Sequence, residues 1–320
     1  MKCRCPVCGE EMQGVVIGNA ETLGARYDIL FCDRCRVGKT SPVPPPEELA
    51  RLYSSGSYRA DSGKRFHEPL ETLVYLCRLQ RKRRIEKFVR RGRILDIGCG
   101  RGLFLGVMKD HGWSVMGVEF DTAAAAVASA AHGIDVIAAS RVGSDLPDGN
   151  FDVVTLYHVL EHVYDPAETV RECARLLRKG GLLVVAVPNI LSLQASVGKR
   201  VWFHLDPPYH LHHFSEEGLS KLLGDHRFEV RRIRRLDWEY DVFSWLQTLL
   251  NRTGIRKNLL YDALKTRTLW GRQPGDRPEY GLVASIVLLP LLVPVSLLLS
   301  LFESYLLKRG GSVEVHAVRS

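Results

Sequence analysis

Short apolar runs alternate with longer mixed segments between residues 93 and 238. The runs at 93–97, 114–118, 151–156 and 182–187 have the length and the Val, Ile and Leu content of buried strands, and the stretches between them are long enough for helices. Strands that alternate with helices are typical of a parallel sheet with crossover helices. The pattern therefore predicts an α/β core over residues 93–238.

The segments on either side of this core have other patterns. Residues 1–45 contain most of the cysteines and end in a proline-rich stretch, and residues 46–92 are predicted to be a helical linker with a basic helix. Residues 239–311 are mixed and include an uncharged apolar stretch at 282–302. Residues 312–320 begin with alternating side chains, so we predict the final strand of the core and a short tail there.

The composition is that of a folded protein with a basic balance. Of the 320 residues, 46% are hydrophobic and 25% are charged, and the net charge is +8. Disorder is therefore not indicated, and anionic partners such as nucleic acid, anionic lipid or a phosphate-bearing substrate are favoured. The first five residues contain no apolar signal core, so we expect a cytoplasmic, reducing location.

Four of the N-terminal cysteines form two Cys-x-x-Cys pairs, Cys5 with Cys8 and Cys32 with Cys35. Four thiolates complete the closed tetrahedral shell of structural Zn²⁺, so we predict a structural zinc site rather than a catalytic one. The module is too small to bury a core of its own, and the metal would supply its folding energy. Cys3 is an alternative to Cys5, and free cysteines in a reducing cell are the other interpretation.

A glycine-rich loop follows the first core strand, where Asp96 precedes Gly98, Gly100 and Gly102. Glycines let the backbone turn tightly and approach a ligand closely. A carboxylate at Asp96 would repel a pyrophosphate, and it suits a ligand with a cationic amino-acid end. Glu119 follows the next strand, where a carboxylate can accept both hydroxyls of a ribose.

With these motifs, residues 93–238 resemble the class I S-adenosylmethionine-dependent methyltransferases, and among them the ubiquinone-biosynthesis O-methyltransferases. The resemblance rests on LDIGCGRG, VMGVEFD, FDVVTLYHVLEHVYDP, LLRKGGLLVVAVPN and HLHHFSEEGL, and it covers close to half of the chain. It implies a Rossmann-like seven-stranded sheet, preceded here by a zinc-ribbon-like module. The apolar stretch would be an insertion before the last strand, which inserts antiparallel beside the fifth and sixth strands.

The resemblance also implies S-adenosylmethionine as the cofactor. The residues that would bind it are Asp96, Gly98, Gly100, Gly102, Glu119, Phe120, Ser140 and Tyr157. The chain departs from the family's pattern after the third strand, where the aspartate that often contacts adenine is missing and Ser140 or Arg141 would take its place. The cysteine-bearing leader is similar to that of family members found with surface-glycan and sugar-modifying pathways.

The segment after the fourth strand is predicted to lie beside the reacting methyl group, because ligands bind at the carboxyl ends of the strands in such sheets. Histidine titrates in the range that a general base needs. By the resemblance, His158 is the first catalytic candidate, and His162 and His213 are the others. Residues 158–162 also match the H-x-x-E-H pattern of some zinc peptidases, without the sequence context of those enzymes.

Three histidines lie within residues 210–213. We interpret them as residues that contact the acceptor or that form part of an active-site lid. A metal site is a lesser alternative, because no carboxylate partner is obvious from the sequence, and inert histidines are a third interpretation.

The apolar stretch 282–302 is long enough to cross a membrane once. A single crossing would leave the final strand on the wrong side, and Pro290 and Pro294 could turn a hairpin. We therefore predict a shallow hairpin in the membrane interface, with a spanning helix and a buried helix pair as alternatives. The basic run at 78–93 fits an anionic membrane surface or a solvated helix face.

Three functions follow from these observations. The leading hypothesis is O-methylation of a lipid-linked, glycan or small-molecule acceptor at the cytoplasmic membrane face, with peripheral membrane contact through 282–302. The second is a nucleic-acid methyltransferase that grips RNA with the zinc module, which is less favoured because the module has few aromatic residues. The third is a non-catalytic assembly protein that binds the cofactor, and the oligomeric state is left open.

Overall fold

A computed structural model of the chain describes residues 3–22, 24–54, 68–139, 146–266 and 280–320. The strands are β1 (Gly14–Thr22), β2 (Ala25–Cys32), β3 (Val37–Ser41), β4 (Arg93–Ile97), β5 (Ser114–Glu119), β6 (Asp135–Ala138), β7 (Phe151–Tyr157), β8 (Leu177–Pro188), β9 (His212–Phe214), β10 (Phe228–Arg234) and β11 (Ser312–Arg319). The helices are α1 (Pro46–Ser54), α2 (Glu68–Ile85), α3 (Leu103–Asp110), α4 (Thr122–His132), α5 (Pro166–Leu176), α6 (Leu193–Gly198), α7 (Glu216–Asp225), α8 (Asp241–Arg252), α9 (Leu259–Thr266) and α10 (Tyr280–Leu301).

Seven strands form the central sheet in the order β10-β11-β8-β7-β4-β5-β6. The five strands β4 to β8 pair in parallel. The final strand β11 runs antiparallel between β8 and β10, which confirms the predicted class I methyltransferase topology. The middle strands β7 and β8 are fully buried over residues 153–156 and 182–187, where most side chains are Val or Leu, as expected for a sheet covered by helices on both faces.

A second, four-stranded sheet has the order β1-β2-β3-β9, and all its pairings are antiparallel. Its fourth strand, β9, comes from the core segment, since Val37 pairs with Phe214 and Lys39 pairs with His212. The cysteine-bearing module is therefore joined to the core by backbone hydrogen bonds that the sequence did not predict.

The basic run at 78–93 is buried in part, and its exposed basic residues are Arg83, Lys87, Arg90, Arg91 and Arg93. Arg81 is 3% exposed and Arg84 is 5% exposed. Arg81 donates hydrogen bonds to Asp237 and Glu239, and Arg84 donates to Glu314 at 2.8 Å. These arginines are buried in ion pairs because acidic side chains from the C-terminal half face this helix, so they cannot contribute to a membrane-binding or solvated surface.

The apolar stretch forms one continuous helix, α10, and the predicted hairpin at Pro290 and Pro294 was wrong. At 1.5 Å per residue its 22 residues are about 33 Å long. The helix packs against α8, and Leu282, Ser285 and Ser296 are among its buried residues. A π-helical turn, Phe302–Leu306, then leads into the loop before β11.

Candidate active site

The glycine-rich loop joins β4 to α3 at the carboxyl end of the central sheet. Gly98, Gly100 and Gly102 have φ values of 69°, 54° and 73°, which is the left-handed region that favours glycine. A Cβ on Gly98 would lie 2.4 Å from Val159 Cγ2, whereas a Cβ on Gly100 would meet no described atom within 4 Å. Gly98 therefore packs against the segment after β7, and Gly100 leaves room for a ligand beside the backbone.

Asp96 lies at the end of β4 and is only 5% exposed. The Thr155 hydroxyl on the neighbouring strand β7 donates a 2.5 Å hydrogen bond to Asp96 Oδ1. Burial raises the pKa of Asp96 to about 7, against the opposing effects of Thr155 and the positive charge of Arg81. A carboxylate held out of water in this way attracts a cationic ligand strongly.

Glu119 ends β5 beside the same loop. Its Oε2 accepts a 2.7 Å hydrogen bond from the Gly100 amide, and its Oε1 accepts a 2.9 Å hydrogen bond from the Asp121 amide. Each carboxylate oxygen has a second lone pair, so the carboxylate can still accept hydrogen bonds from the hydroxyls of a ribose. The next side chain, Phe120, is 40% exposed at the rim. Ser140 lies outside the described residues.

Tyr157 ends β7, and the Arg81 guanidinium lies 4.2 Å from the centroid of its ring. Burial raises the pKa of Tyr157 above its ordinary value. Among the described residues no group forms a hydrogen bond with the Tyr157 hydroxyl. Helix α2 therefore lies against the end of β7, where the buried Arg81 guanidinium lies over the ring of Tyr157.

His158 follows β7 directly and has a φ of 57°, an uncommon value for a residue other than glycine. Its Nδ1 lies 3.4 Å from Glu161 Oε1, and its ring packs 4.2 Å from the ring of Tyr240. Glu161 is 1% exposed. Burial opposes ionisation of Glu161, but His158 and His162 lower its pKa to about 2, so the side chain is a carboxylate.

The other histidines gather around this carboxylate. The backbone carbonyl of Glu161 accepts hydrogen bonds from the amides of Leu211 and His212, which brings the 210–213 segment alongside. The rings of His162 and His210 have centroids 4.6 Å apart. Burial lowers the pKa of His162 to about 4, so this ring is neutral near pH 7.

The structure thus brings together the predicted catalytic candidates His158, His162 and His213, and it adds groups that sequence reasoning missed. These are His204, Tyr240, Arg81 and Thr40. Thr40 of the cysteine module donates a 2.6 Å hydrogen bond to the His210 carbonyl, and its hydroxyl lies 3.0 Å from His213 Nε2. Thr40 and Tyr240 are distant in sequence from residues 158–162, and no pattern in their own segments indicates that they contact the histidines.

The four predicted zinc ligands also lie together. The Sγ atoms of Cys5, Cys8, Cys32 and Cys35 are all within 4.8 Å of one another, and those of Cys8 and Cys32 are 3.8 Å apart. A tetrahedral ion with Zn–S bonds of about 2.3 Å needs sulfurs about 3.8 Å apart. The Val7 amide donates to Cys5 Sγ at 3.4 Å, as in a metal-binding knuckle. This arrangement favours Cys5 over Cys3 as a ligand.

Comparison with known proteins defines the class. The family described as "Methyltransferase domain" matches residues 70–233, which is more than half of the chain, and the chain therefore belongs to this family. A probable S-adenosylmethionine-dependent methyltransferase of Mycobacterium tuberculosis is 36% identical over 136 residues, which are 42% of this chain and 48% of that protein.

Two further proteins are similar. The ubiquinone biosynthesis O-methyltransferase of Pseudomonas aeruginosa is 39% identical over 104 residues, which are 30% of this chain and 44% of that protein. The chain thus spans about half of the length of the curated relatives that it matches. A solved SAM-dependent methyltransferase from Archaeoglobus fulgidus superposes with a TM-score of 0.48 at 20% identity, over 76% of this chain and 93% of that one.

Proposed function

We propose that this chain transfers the methyl group of S-adenosylmethionine to a hydroxyl of a lipid-linked or glycan intermediate at the cytoplasmic face of a membrane. The observation that carries the proposal is the position of two sites at neighbouring strand ends. The glycine-rich loop follows β4, and His158 with the buried Glu161 follows β7, which pairs with β4. A cofactor in the loop would therefore have its reactive end beside the histidines.

The loop and strand ends suit this cofactor. The buried carboxylate of Asp96 would hold the cationic amino-acid end, and Glu119 would accept the ribose hydroxyls. The open space at Gly100 and the unsatisfied hydroxyl of Tyr157 fit a ligand at this position. When bound, S-adenosylmethionine supplies a sulfonium methyl group, which passes to the acceptor oxygen as the carbon–sulfur bond breaks and leaves S-adenosylhomocysteine.

His158 is the proposed general base. Its Nδ1 faces the Glu161 carboxylate, so Nδ1 carries the proton and Nε2 carries the lone pair. Among the described residues, Nε2 has no hydrogen-bond partner. Nε2 can therefore accept the proton of an acceptor hydroxyl, and Glu161 would stabilise the imidazolium that forms.

The membrane part of the proposal rests on α10. By length and composition, residues Tyr280–Leu306 could cross a membrane, and only 17% of their most apolar window is buried. The exposed side chains follow one face, with Val287 at 71%, Leu291 at 64% and Leu298 at 66% exposure. Because the opposite face packs on α8, we propose that the helix lies in the membrane interface and presents the site to a membrane-held acceptor.

A structural zinc ion at the four cysteines completes the proposal. The ion would brace the module whose strand β3 pairs with β9 and thereby supports the histidine segment. Metal analysis of protein purified without chelator should find about one zinc per chain, and Cys32→Ser should lose it. Zinc-free protein with intact stability and activity would contradict this role.

The central test is calorimetric titration of the full, zinc-loaded chain with S-adenosylhomocysteine. We expect micromolar binding that Asp96→Asn weakens at least about tenfold, since one charged hydrogen-bond partner contributes roughly 1.5–3 kcal/mol. Asp110→Asn changes an exposed acid at the end of α3 and serves as the matched control. His158→Gln should bind S-adenosylhomocysteine as the wild type does but lose methyl transfer. If the folded wild type does not bind S-adenosylhomocysteine, the proposal is overturned.

A further inference from the structure

The cysteine module contacts the histidines of the site through Thr40. Thr40 lies on β3, the strand that follows the Cys35 knuckle, and it is 0% exposed. Its backbone amide donates a 3.0 Å hydrogen bond to the Leu211 carbonyl, which extends the pairing of β3 with β9. Thr40 therefore faces residues 210–213 with both its amide and its hydroxyl.

The two hydrogen bonds of the Thr40 hydroxyl have a defined direction. Its Oγ1 lies 2.6 Å from the His210 carbonyl oxygen and 3.0 Å from His213 Nε2. A carbonyl can only accept, so the single hydroxyl proton goes to His210, and in the second contact Nε2 is the donor. His213 therefore carries a ring proton on Nε2, and in its neutral form the lone pair is on Nδ1.

This tautomer of His213 is the opposite of that of two neighbouring histidines. The Nδ1 atoms of His162 and His210 lie 2.9 Å and 2.8 Å from backbone carbonyl oxygens, so in these rings Nδ1 carries the proton. Burial, together with His210 and His212, keeps the pKa of His213 well below its ordinary value. The ring is therefore neutral near pH 7, and the contact with Thr40 decides which nitrogen holds its one proton.

The segment that Thr40 holds is also bonded to the turn after β7. The Glu161 carbonyl accepts hydrogen bonds from the amides of Leu211 and His212, at 2.8 Å and 3.0 Å. The turn with Glu161 also bears His158, the proposed general base. Loss of the Thr40 hydroxyl should therefore loosen the segment and, through it, the turn.

We propose that Thr40 is a positioning residue of the methyl-transfer site, through which the cysteine module fixes the tautomer of His213 and holds the turn that bears His158. Its consequence for catalysis rests on the proposed methyltransferase function, whereas the hydrogen bonds do not. A hydroxyl can donate to a carbonyl and accept from a ring nitrogen at one atom, and a methyl group of similar size can do neither. A base held in one arrangement is what methyl transfer to an aligned acceptor requires.

The first test is heteronuclear NMR of the full, zinc-loaded chain with labelled histidine, which distinguishes protonated from unprotonated ring nitrogens. We expect the proton of His213 on Nε2 in the wild type. Thr40→Val keeps the side-chain shape, and it should shift the His213 tautomers toward Nδ1 and move the ring signals of His158. Exchange of the Leu211 and His212 amides should become about three- to tenfold faster, which corresponds to the loss of one hydrogen bond.

Thr40→Ser keeps the hydroxyl and should restore the wild-type signals and exchange rates. The matched control is Thr169→Val, because Thr169 is also buried, at 7% exposure, and its hydroxyl also donates to a backbone carbonyl, that of Asp165 at 2.9 Å. This control should leave the signals of His158 and His213 unchanged.

A proton on Nδ1 of His213 in the wild type overturns the inference, and this measurement does not depend on the folding of any variant. Unchanged signals of His213 or of His158 in folded Thr40→Val also overturn it. Thr40→Val should bind S-adenosylhomocysteine as the wild type does, because Thr40 acts on the histidines and not on the cofactor loop. If the expected tautomers are found in a wild type that does not bind S-adenosylhomocysteine, the contacts of Thr40 stand and the proposed methyl transfer is refuted.

Discussion

Asp96 is a carboxylate held out of water at the end of β4, and its protonation should control cofactor binding. Its pKa is raised to about 7, and only the ionised form attracts an ammonium group. Below pH 7, binding must therefore release a proton. We expect the affinity for S-adenosylhomocysteine at pH 6 to be about tenfold weaker than at pH 8, which follows from a titration one unit below the pKa.

Calorimetry in two buffers with different ionisation enthalpies measures this proton release directly. Close to one proton should be released per ligand at pH 6, and far fewer at pH 8. Asp96→Asn should abolish the difference, since no group at that position can titrate. Equal affinity and no proton release in the wild type at pH 6 would contradict the role assigned to Asp96.

Glu314 on β11 makes a buried ion pair that should contribute to stability. Burial opposes its ionisation, but the hydrogen bond with His316 and the charge of Arg84 lower its pKa from 4.5 to about 2. A lowered carboxyl pKa gives stability that is fully present above about pH 4.5 and is lost as the pH falls toward 2. Glu314→Gln should lower the free energy of unfolding at pH 7 by about 3 kcal/mol, because it leaves the charge of Arg84 buried without the opposite charge of a carboxylate.

Urea denaturation measures this loss, with Glu229→Gln as the matched control. Glu229 pairs with Arg231 at 2.7 Å, but their side chains are 58% and 51% exposed. An exposed pair contributes less than about 1 kcal/mol. Similar losses for the two variants would show that burial does not set the contribution of the Glu314 pair.

At the scale of elements, the contact between the cysteine module and α7 depends on a glycine. A Cβ on Gly218 would lie 2.4 Å from Val37 Cγ2 and 2.7 Å from the Cys35 carbonyl oxygen. Gly218→Ala should therefore lower the free energy of unfolding by about 1–3 kcal/mol through overpacking. A Cβ on Gly224, in the same helix, would lie more than 4 Å from every described atom outside that helix. Gly224→Ala should therefore raise the free energy of unfolding by up to about 1 kcal/mol.

Thermal unfolding of the two alanine variants gives opposite shifts if this contact is as tight as the structure indicates. If Gly218→Ala is as stable as Gly224→Ala, then the module can move away from α7 without cost. The pair of variants separates helix propensity, which both substitutions improve, from the steric contact, which only one of them disturbs.

The sequence predicted the central sheet well because its strands and turns carry strong local signals. The Val, Ile and Leu content of β7 and β8 and the glycines after β4 indicate buried strands and a ligand loop without knowledge of any partner. The sequence also predicted that His158 and His162 lie near the ligand loop, because both follow a parallel strand and the carboxyl ends of parallel strands lie at one edge of the sheet.

Elements defined by distant contacts could not be predicted. Strand β9 has only three residues, and its partner β3 lies more than 170 residues earlier. The burial of Arg81 depends on Asp237 and Glu239, which follow it by more than 150 residues. Helix α10 is continuous through both of its prolines and packs against α8, a contact that the apolar stretch itself does not indicate.

At the scale of the whole molecule, the apolar face of α10 is a long exposed surface, with Val287, Leu291 and Leu298 each more than 60% exposed. Transfer of a leucine side chain out of water contributes about 1.5–3 kcal/mol, so two such side chains on one helix face can dominate membrane binding. We therefore expect Leu291→Asp combined with Leu298→Asp to weaken binding to anionic phospholipid vesicles by about 100-fold, as measured by co-sedimentation. Binding of S-adenosylhomocysteine should not change, since neither residue lies in the cofactor site.

The matched control is Val15→Asp, which places the same charge on an exposed apolar side chain of β1, at 54% exposure in the wild type. It should bind vesicles as the wild type does. High salt separates the two sources of affinity, because it screens lysine and arginine contacts with anionic lipid but leaves apolar insertion in place. Wild-type binding that persists in high salt and is lost in the double variant would identify α10 as the membrane contact. Binding that salt abolishes, with no effect of the double variant, would assign the contact to exposed lysines and arginines instead, such as those of the run at 78–93.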